Sequence, residues 1–86
     1  MKTFRWSELK SARLKRIRGV SFDEISQAKL IDMTEHPKRP GQYLMLFEHK
    51  NYVWVVPCVE QGDDIFLKTL YPSRKYTRMY LRGERK

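Results

Sequence analysis

An α+β domain is the fold class that the sequence predicts, because two short helical segments precede a run of strands and one more helix follows it. Three observations support this order. A basic segment that begins after Ser7 ends at Gly19, and residues 21–24, Ser-Phe-Asp-Glu, have the pattern of a helix capping box. Three apolar segments between residues 42 and 71 are separated by short sequences typical of hairpin turns. We therefore expect two N-terminal helices, an antiparallel meander of three or four strands and a C-terminal helix, in a single domain of residues 1–86.

The two N-terminal helices are predicted from their caps and from the spacing of their apolar residues. Ser7 is a suitable N-cap for the first helix, which should continue to about residue 17, and Gly19 suits its C-terminal cap. The apolar residues that this helix is expected to bury are Leu9, Ala12, Leu14 and Ile17. The second helix is expected to run from the capping box to about residue 29 or 30.

The meander is predicted from the apolar segments 42–49, 52–59 and 64–71. The middle segment is apolar on both faces, which is typical of a central strand buried on both sides. Pro57 lies within it and has no N–H for a strand ladder, so we expect it at a bulge or on an unpaired side. Residues 35–41 contain two prolines and a glycine and are predicted to form a loop. The helices are expected to cover one face or one end of the sheet.

Length and composition limit the classes of protein to which the chain can belong. A hydrophobic fraction of 41% is enough for one small core, and no apolar segment approaches the ~18 residues of a membrane span. The single cysteine, Cys58, excludes an internal disulfide and is expected to be a buried thiol. No residues have the spacing of a metal site, and no glycine-rich phosphate loop is present. We expect a cytoplasmic protein that contacts no membrane and needs no cofactor or metal.

The positive charge is concentrated at the two ends of the chain. The formal net charge is +8, with +6 over residues 1–18, −4 over residues 19–67 and +6 over residues 68–86. If the two ends meet in the fold, their Lys and Arg side chains form one basic face. Such a face is typical of proteins that bind RNA, DNA or an acidic protein.

A candidate anion site follows the last predicted strand. Ser73 is a suitable N-cap for a helix of about residues 74–82, and the first turn of this helix holds Arg74 and Lys75. Cations at the electropositive start of a helix are mildly unfavourable, but they complement a bound anion such as phosphate. Lys68 is the only charge in the interior of the preceding apolar strand, so it needs an edge, a partner or a ligand.

RNA cleavage is a reaction that these residue types can support. Cations stabilise the charge that develops on the phosphoryl oxygens, and this contribution requires no histidine. The residues predicted to be catalytic are Lys68, Arg74, Lys75 and Tyr80. The residues predicted to bind the nucleic acid are Lys10, Arg13 and Arg78. Two alternatives stay open: Tyr80 can pack against the core together with Tyr76, and His49 can transfer a proton or be a solvated hairpin residue.

Both ends of the chain carry motifs known from one protein family. Residues 4–24 contain Phe-x-Trp, then Lys10, then Arg-Gly-Val-Ser-Phe-Asp-Glu, and residues 66–75 contain Phe-Leu-Lys-Thr followed by Pro-Ser-Arg-Lys. The chain thereby resembles the BrnT-like toxins of bacterial type II toxin–antitoxin modules. These toxins typically have a Trp, a Lys four residues on, a Gly-Val-Ser-Phe-Glu-Glu segment, and Ser-Arg-Lys or Ala-Arg-Lys before the last helix. The family usually has Asn where this chain has Arg13, and His where it has Arg18.

The resemblance has implications for fold, activity and partners. It implies a RelE-like α+β fold, ribonuclease activity that halts translation, and neutralisation by a DNA-binding antitoxin protein. Two alternatives without catalysis stay open. The chain can be a basic module that only binds nucleic acid, or a subunit whose basic face binds an acidic protein partner.

Overall fold

The structure, a computed structural model, describes residues 3–83. This part of the chain forms three helices and six strands. In chain order they are β1 (Thr3–Arg5), α1 (Glu8–Arg18), α2 (Phe22–Ser26), β2 (Lys29–Glu35), β3 (Gln42–His49), β4 (Tyr52–Gln61), β5 (Asp64–Leu67), β6 (Tyr71–Pro72) and α3 (Arg74–Leu81). The α+β class is confirmed, and the sheet has more strands than the three or four predicted. None of these helices is long and apolar enough to span a membrane.

The strands form one mixed sheet in the order β1-β5-β4-β3-β2, and β6 pairs with β4 beyond the end of β5. The predicted meander β3–β4–β5 is confirmed, with antiparallel pairing throughout. Lys50 and Asn51 form the turn between β3 and β4, and both have positive φ, which is typical of a two-residue hairpin turn. Strand β1 extends the sheet by pairing with β5 in parallel, with Phe4 opposite Ile65.

The segment after α2 corrects the predicted length of the second helix. This helix ends at Ser26, not at residue 29 or 30, and β2 begins at Lys29. Strand β2 pairs antiparallel with β3 along its length, so its backbone groups are satisfied by the sheet and not by a longer helix. Most of its side chains are exposed, because it is an edge strand. An exposed edge strand lacks the apolar alternation from which a strand is predicted.

The helices lie on both faces of the sheet, so the expectation that they cover one face or one end is wrong. The cluster on the α1 and α2 side includes Phe22, Ile25, Met45, Phe47, Val56, Cys58 and Leu67. The cluster on the α3 side consists of Leu44, Leu46, Val53 and Val55, with Tyr76, Tyr80 and Leu81 packed against it. The physical reason is that β3 and β4 present apolar side chains to both faces, and both faces must be covered.

The predicted apolar stripe of α1 is wrong except at Leu14. The caps are as predicted, with the Ser7 side chain accepting from the Lys10 N–H and Gly19 in the left-handed conformation. Leu14 is buried, but Leu9 is 86% and Ile17 60% exposed, and Ala12 is exposed as well. The helix docks through Leu14 and a polar residue, since the buried Ser11 Oγ accepts a hydrogen bond from the Phe22 N–H at 3.0 Å.

The last predicted strand is interrupted. Residues 64–71 were expected to be one strand, but β5 ends at Leu67 and the chain pairs with β4 again only at Tyr71. Pro57 explains the interruption. The Pro57 carbonyl accepts the Lys68 N–H at 2.9 Å, so this side of Pro57 faces the chain that follows β5. The Pro57 nitrogen lies on the same side of β4, and because it is a proline nitrogen it has no N–H to donate to that chain. Pro57 therefore lies beside the gap between β5 and β6, as its chemistry predicts.

Candidate nucleic-acid interface

The connection between β5 and β6 lies next to α1, and this brings Lys68 close to Lys10, whereas α3 with its cations lies on the other face of the sheet. The backbone N–H of Lys68 donates a hydrogen bond to the Pro57 carbonyl. At the other end of the connection, the Arg18 guanidinium of α1 donates to the Leu70 carbonyl, and Leu70 itself is buried in the core. Arg18 thus satisfies a backbone group that the interrupted sheet leaves unpaired.

A basic recess of about 340 Å³ opens at this connection, and we call it the β5–β6 recess. Four segments contribute to it: α1, the loop between β2 and β3, strand β4 and the connection itself. Its lining consists of Lys10, His36, Arg39, Gln42, Pro57, Lys68, Thr69 and Tyr71. The lining includes three basic side chains, an imidazole and two hydroxyl groups, and it includes no carboxylate. Its chemistry fits an anion that accepts several hydrogen bonds.

Two side chains of this recess have groups suited to donate a hydrogen bond. The Nδ1 atom of His36 accepts a hydrogen bond from the Lys38 N–H at 3.1 Å. Burial raises the pKa of Tyr71, and the neighbouring Tyr76 adds to the shift, so the Tyr71 phenol keeps its proton at neutral pH. Both side chains can therefore act as hydrogen-bond donors towards a bound anion.

A second recess, of about 230 Å³, lies along α3, and we call it the α3 recess. Its lining consists of Tyr52, Arg74, Thr77, Arg78 and Arg82. Arg74, Arg78 and Arg82 are spaced four residues apart and so lie on one face of the helix. The position of α3 is set by Thr77, whose Oγ1 accepts from the Val53 N–H at 2.8 Å and donates to the Ser73 carbonyl at 2.6 Å.

The predicted catalytic cations do not line one common recess. Lys68 lines the β5–β6 recess together with Lys10, whereas Arg74 lines the α3 recess together with Arg78. The backbone of Lys68 is bound to Pro57 and that of Ser73 to Val53. These two positions on β4 are four residues apart, which corresponds to about 13 Å along a strand.

The other predicted residues lie outside both recesses. Lys75 is exposed, with its Nζ atom 5.5 Å from the centre of the Tyr76 ring. Tyr80 packs on the α3 side of the core, and its hydroxyl donates to a carboxylate oxygen of Asp32 on β2 at 2.8 Å. Arg13 is exposed on α1 and lines neither recess. For Tyr80, the contacts agree with the alternative of packing against the core.

Sequence reasoning did not select His36, Arg39, Thr69 or Tyr71, although all four line the β5–β6 recess. The signal that was available is the segment His-Pro-Lys-Arg at residues 36–39, which places a histidine and two cations in one short loop. The histidine that was considered, His49, lies at the end of β3 and lines neither recess. Within residues 3–83, no group of three or more His, Cys, Asp or Glu side chains is placed to hold a metal ion.

These features define a small α+β domain with helices on both faces of a mixed sheet and a basic recess where the sheet is interrupted. No protein-family model and no curated protein matches the sequence. Among solved structures, the chain is similar to the 1.1 Å crystal structure of the Brucella abortus ribonuclease toxin BrnT. The TM-score is 0.57 at 14% sequence identity, and the match covers 85% of this chain and 97% of that one. The chain thus has a BrnT-like toxin fold, as the motifs at its two ends predicted.

Proposed function

We propose that this protein is the ribonuclease toxin of a bacterial type II toxin–antitoxin module, and that it cleaves RNA in the β5–β6 recess. The observation that supports the proposal is the lining of this recess: Lys10, Arg39 and Lys68 converge there with an imidazole and a phenol, and without a carboxylate. This combination suits a phosphodiester, and it occurs in a chain whose fold is similar to that of a ribonuclease toxin.

The residues of the recess can serve two needs of RNA transesterification, which are stabilisation of the phosphoryl charge and protonation of the leaving oxygen. The ribose 2′-hydroxyl gives its proton to solvent water as its oxygen attacks phosphorus, the bond from phosphorus to the 5′-oxygen breaks, and the products are a 2′,3′-cyclic phosphate and a 5′-hydroxyl. Lys10, Arg39 and Lys68 stabilise the charge on the non-bridging oxygens as it grows. Tyr71, which keeps its proton at neutral pH, can donate it to the departing 5′-oxygen.

Inducible expression in a bacterium, followed by mapping of RNA 5′-ends, tests this function. Wild-type protein is expected to arrest growth and to generate new RNA ends that carry a 5′-hydroxyl. The double variant Lys10→Ala, Lys68→Ala removes two cations of the β5–β6 recess and should abolish both effects. Its matched control is Arg16→Ala, Lys29→Ala, which removes two exposed cations that line neither recess and should leave the arrest unchanged.

A second pair of variants distinguishes the two recesses. Arg74→Ala, Arg78→Ala removes two cations of the α3 recess and leaves the β5–β6 recess intact. Arrest by this variant together with loss of arrest in Lys10→Ala, Lys68→Ala would assign cleavage to the β5–β6 recess. The reverse pattern would assign it to the α3 recess. Harmless wild-type protein that binds RNA in a salt-sensitive way would instead indicate a non-catalytic nucleic-acid-binding module.

The proposed partner is an antitoxin protein, and α1 offers a surface on which it can bind. Leu9, Arg13 and Ile17 are four residues apart, so they share one helix face, and all three are exposed. RNA offers no apolar surface that would bury the two large apolar side chains. A protein segment with apolar and acidic residues complements these side chains and Arg13 as well.

Co-expression of the toxin with the product of the adjacent gene tests this surface. We expect a stable complex and restored growth with wild-type toxin. The variant Leu9→Gln, Ile17→Gln should remain toxic but escape neutralisation, because the partner can no longer bury these side chains. If the wild-type toxin and the Leu9→Gln, Ile17→Gln variant bind the product of the adjacent gene equally tightly, the antitoxin binds elsewhere.

A further inference from the structure

We infer that His36 binds a non-bridging phosphoryl oxygen of the RNA as a hydrogen-bond donor, through the N–H of Nε2. This assigns His36 to substrate binding and transition-state stabilisation, and not to proton transfer. The identity of the ligand rests on the proposed function, whereas the choice of Nε2 as the donor rests on the geometry of the loop that contains His36.

The hydrogen bond at Nδ1 determines which ring nitrogen carries the proton. The backbone N–H of Lys38 donates to Nδ1 of His36 at 3.1 Å. A ring nitrogen that accepts a hydrogen bond has its lone pair engaged and bears no proton. Nε2 is therefore the ring nitrogen that carries the N–H. In this tautomer Nε2 can donate a hydrogen bond, but it has no free lone pair with which to take a proton from a 2′-hydroxyl.

The loop between β2 and β3 binds both the backbone and the ring of His36. The backbone N–H of His36 donates to the Gln42 carbonyl at 2.8 Å, and the Gln42 N–H donates back to the Arg39 carbonyl at 3.2 Å. With the ring bound to Lys38 as well, backbone and side chain of His36 are both fixed, and the residue is half-buried. A donor held in advance in this way adds to binding without a large ordering cost.

The surroundings of His36 show what its Nε2–H is suited to bind. The charged or titratable side chains that line the recess with it are Lys10, Arg39, Lys68 and Tyr71. Three of these are cations, and none is a carboxylate that could supply negative charge. The negative charge that complements the recess therefore has to come with the bound molecule. A phosphoryl oxygen can accept from Nε2–H while its neighbours accept from the cations.

Two substitutions separate the donor role from proton transfer. In His36→Gln the side-chain amide retains an N–H donor at a similar reach, but an amide neither takes up nor releases protons near neutral pH. In His36→Ala the donor is lost. A hydrogen-bond donor role therefore predicts that the Gln variant binds RNA nearly as well as wild type and that the Ala variant binds it weakly, whereas a proton-transfer role predicts that both variants bind RNA normally and fail to cleave it.

The first measurement is the affinity for an RNA oligonucleotide with 2′-O-methyl groups, which binds but cannot be cleaved by attack of the 2′-oxygen. We expect His36→Ala to weaken binding by about 10-fold or more, as is typical for loss of a hydrogen bond to a charged group, and His36→Gln to remain within a few-fold of wild type. The matched control is His49→Gln, which changes the other histidine and lines neither recess. It should bind like wild type.

The second measurement is ¹H–¹⁵N NMR of the histidine rings in wild-type protein, which reads the protonation of the ring nitrogens without any substitution at His36. The chain has two histidines, so the spectrum of His49→Gln assigns the signals of His36. We expect an unprotonated Nδ1, a protonated Nε2, and a shift of the Nε2–H signal when the oligonucleotide is added. Protonation at Nδ1, a His36→Ala variant that binds the oligonucleotide like wild type, or a His36→Gln variant that binds it as weakly as His36→Ala would overturn the inference. Binding with these signatures, but without cleavage of unmodified RNA, would refute the ribonuclease function and retain the role of His36.

Discussion

Replacement of Thr77 by valine tests how α3 is attached to the sheet. Thr77 is 1% exposed and lies in the middle of α3. Its Oγ1 accepts from the Val53 N–H at 2.8 Å, so a helix side chain completes the hydrogen bonding of the central strand. Valine has nearly the shape of threonine but no hydroxyl, so Thr77→Val removes this acceptor and changes little else.

The size of the effect follows from which groups lose a partner. Val53 is fully buried, so in the variant its N–H is left without a partner away from water, which costs about 1–3 kcal/mol. The Ser73 carbonyl loses the Thr77 hydroxyl but still accepts the Thr77 N–H at 3.1 Å, so it adds little. We expect a loss of about 2 kcal/mol in the free energy of unfolding. For a domain of this size that corresponds to a decrease in Tm of about 8–16 °C.

Urea and thermal unfolding at neutral pH measure this loss, and Thr77→Ser is the control. Serine keeps the hydroxyl and removes only a methyl group, so it should destabilise the protein less than valine does. A Thr77→Val protein with the stability of wild type, or a serine variant that is less stable than the valine variant, would refute the reasoning about the buried N–H.

Two further predictions concern α1 and its ion pair with α2. Leu14→Ala should lower the free energy of unfolding by about 2–5 kcal/mol, because Leu14 is buried. Leu9→Ala and Ile17→Ala should each change it by less than about 0.5 kcal/mol, because both side chains are exposed. Equal losses for the three variants in urea unfolding would contradict this placement of α1. The Lys15 ammonium, 2.8 Å from Glu24, and the Ser21 N–H lower the pKa of Glu24 from 4.5 to about 2. This lowered pKa means that Glu24 stabilises the folded state fully above about pH 4.5 and loses this contribution as pH falls through about 2. Acid unfolding of Glu24→Gln should therefore depend less on pH in this range than that of wild type, and an unchanged pH dependence would count against the ion pair.

The sequence by itself determined the elements whose signals are local. Ser7, Ser21 and Ser73 cap α1, α2 and α3 as predicted, because each cap bonds to a backbone N–H three residues ahead. The hairpin turns of the meander were likewise predictable, since they join strands adjacent in the chain. The two motifs at the chain ends were sufficient to indicate the BrnT-like fold, although overall identity to the solved BrnT structure is only 14%.

Only the tertiary structure decided which distant segments meet. Lys10 and Lys68 line one recess, and His36 joins them from a loop that sequence reasoning treated only as a connection. Arg74 is close to Lys68 in the sequence, yet it lines a different recess because residues 68–73 follow β4 from Pro57 to Val53. Charge and residue type show which side chains can bind an anion. Strand pairing and helix docking decide which of these side chains converge on one anion. They bring together segments that are tens of residues apart in the chain, so no local sequence signal reports them.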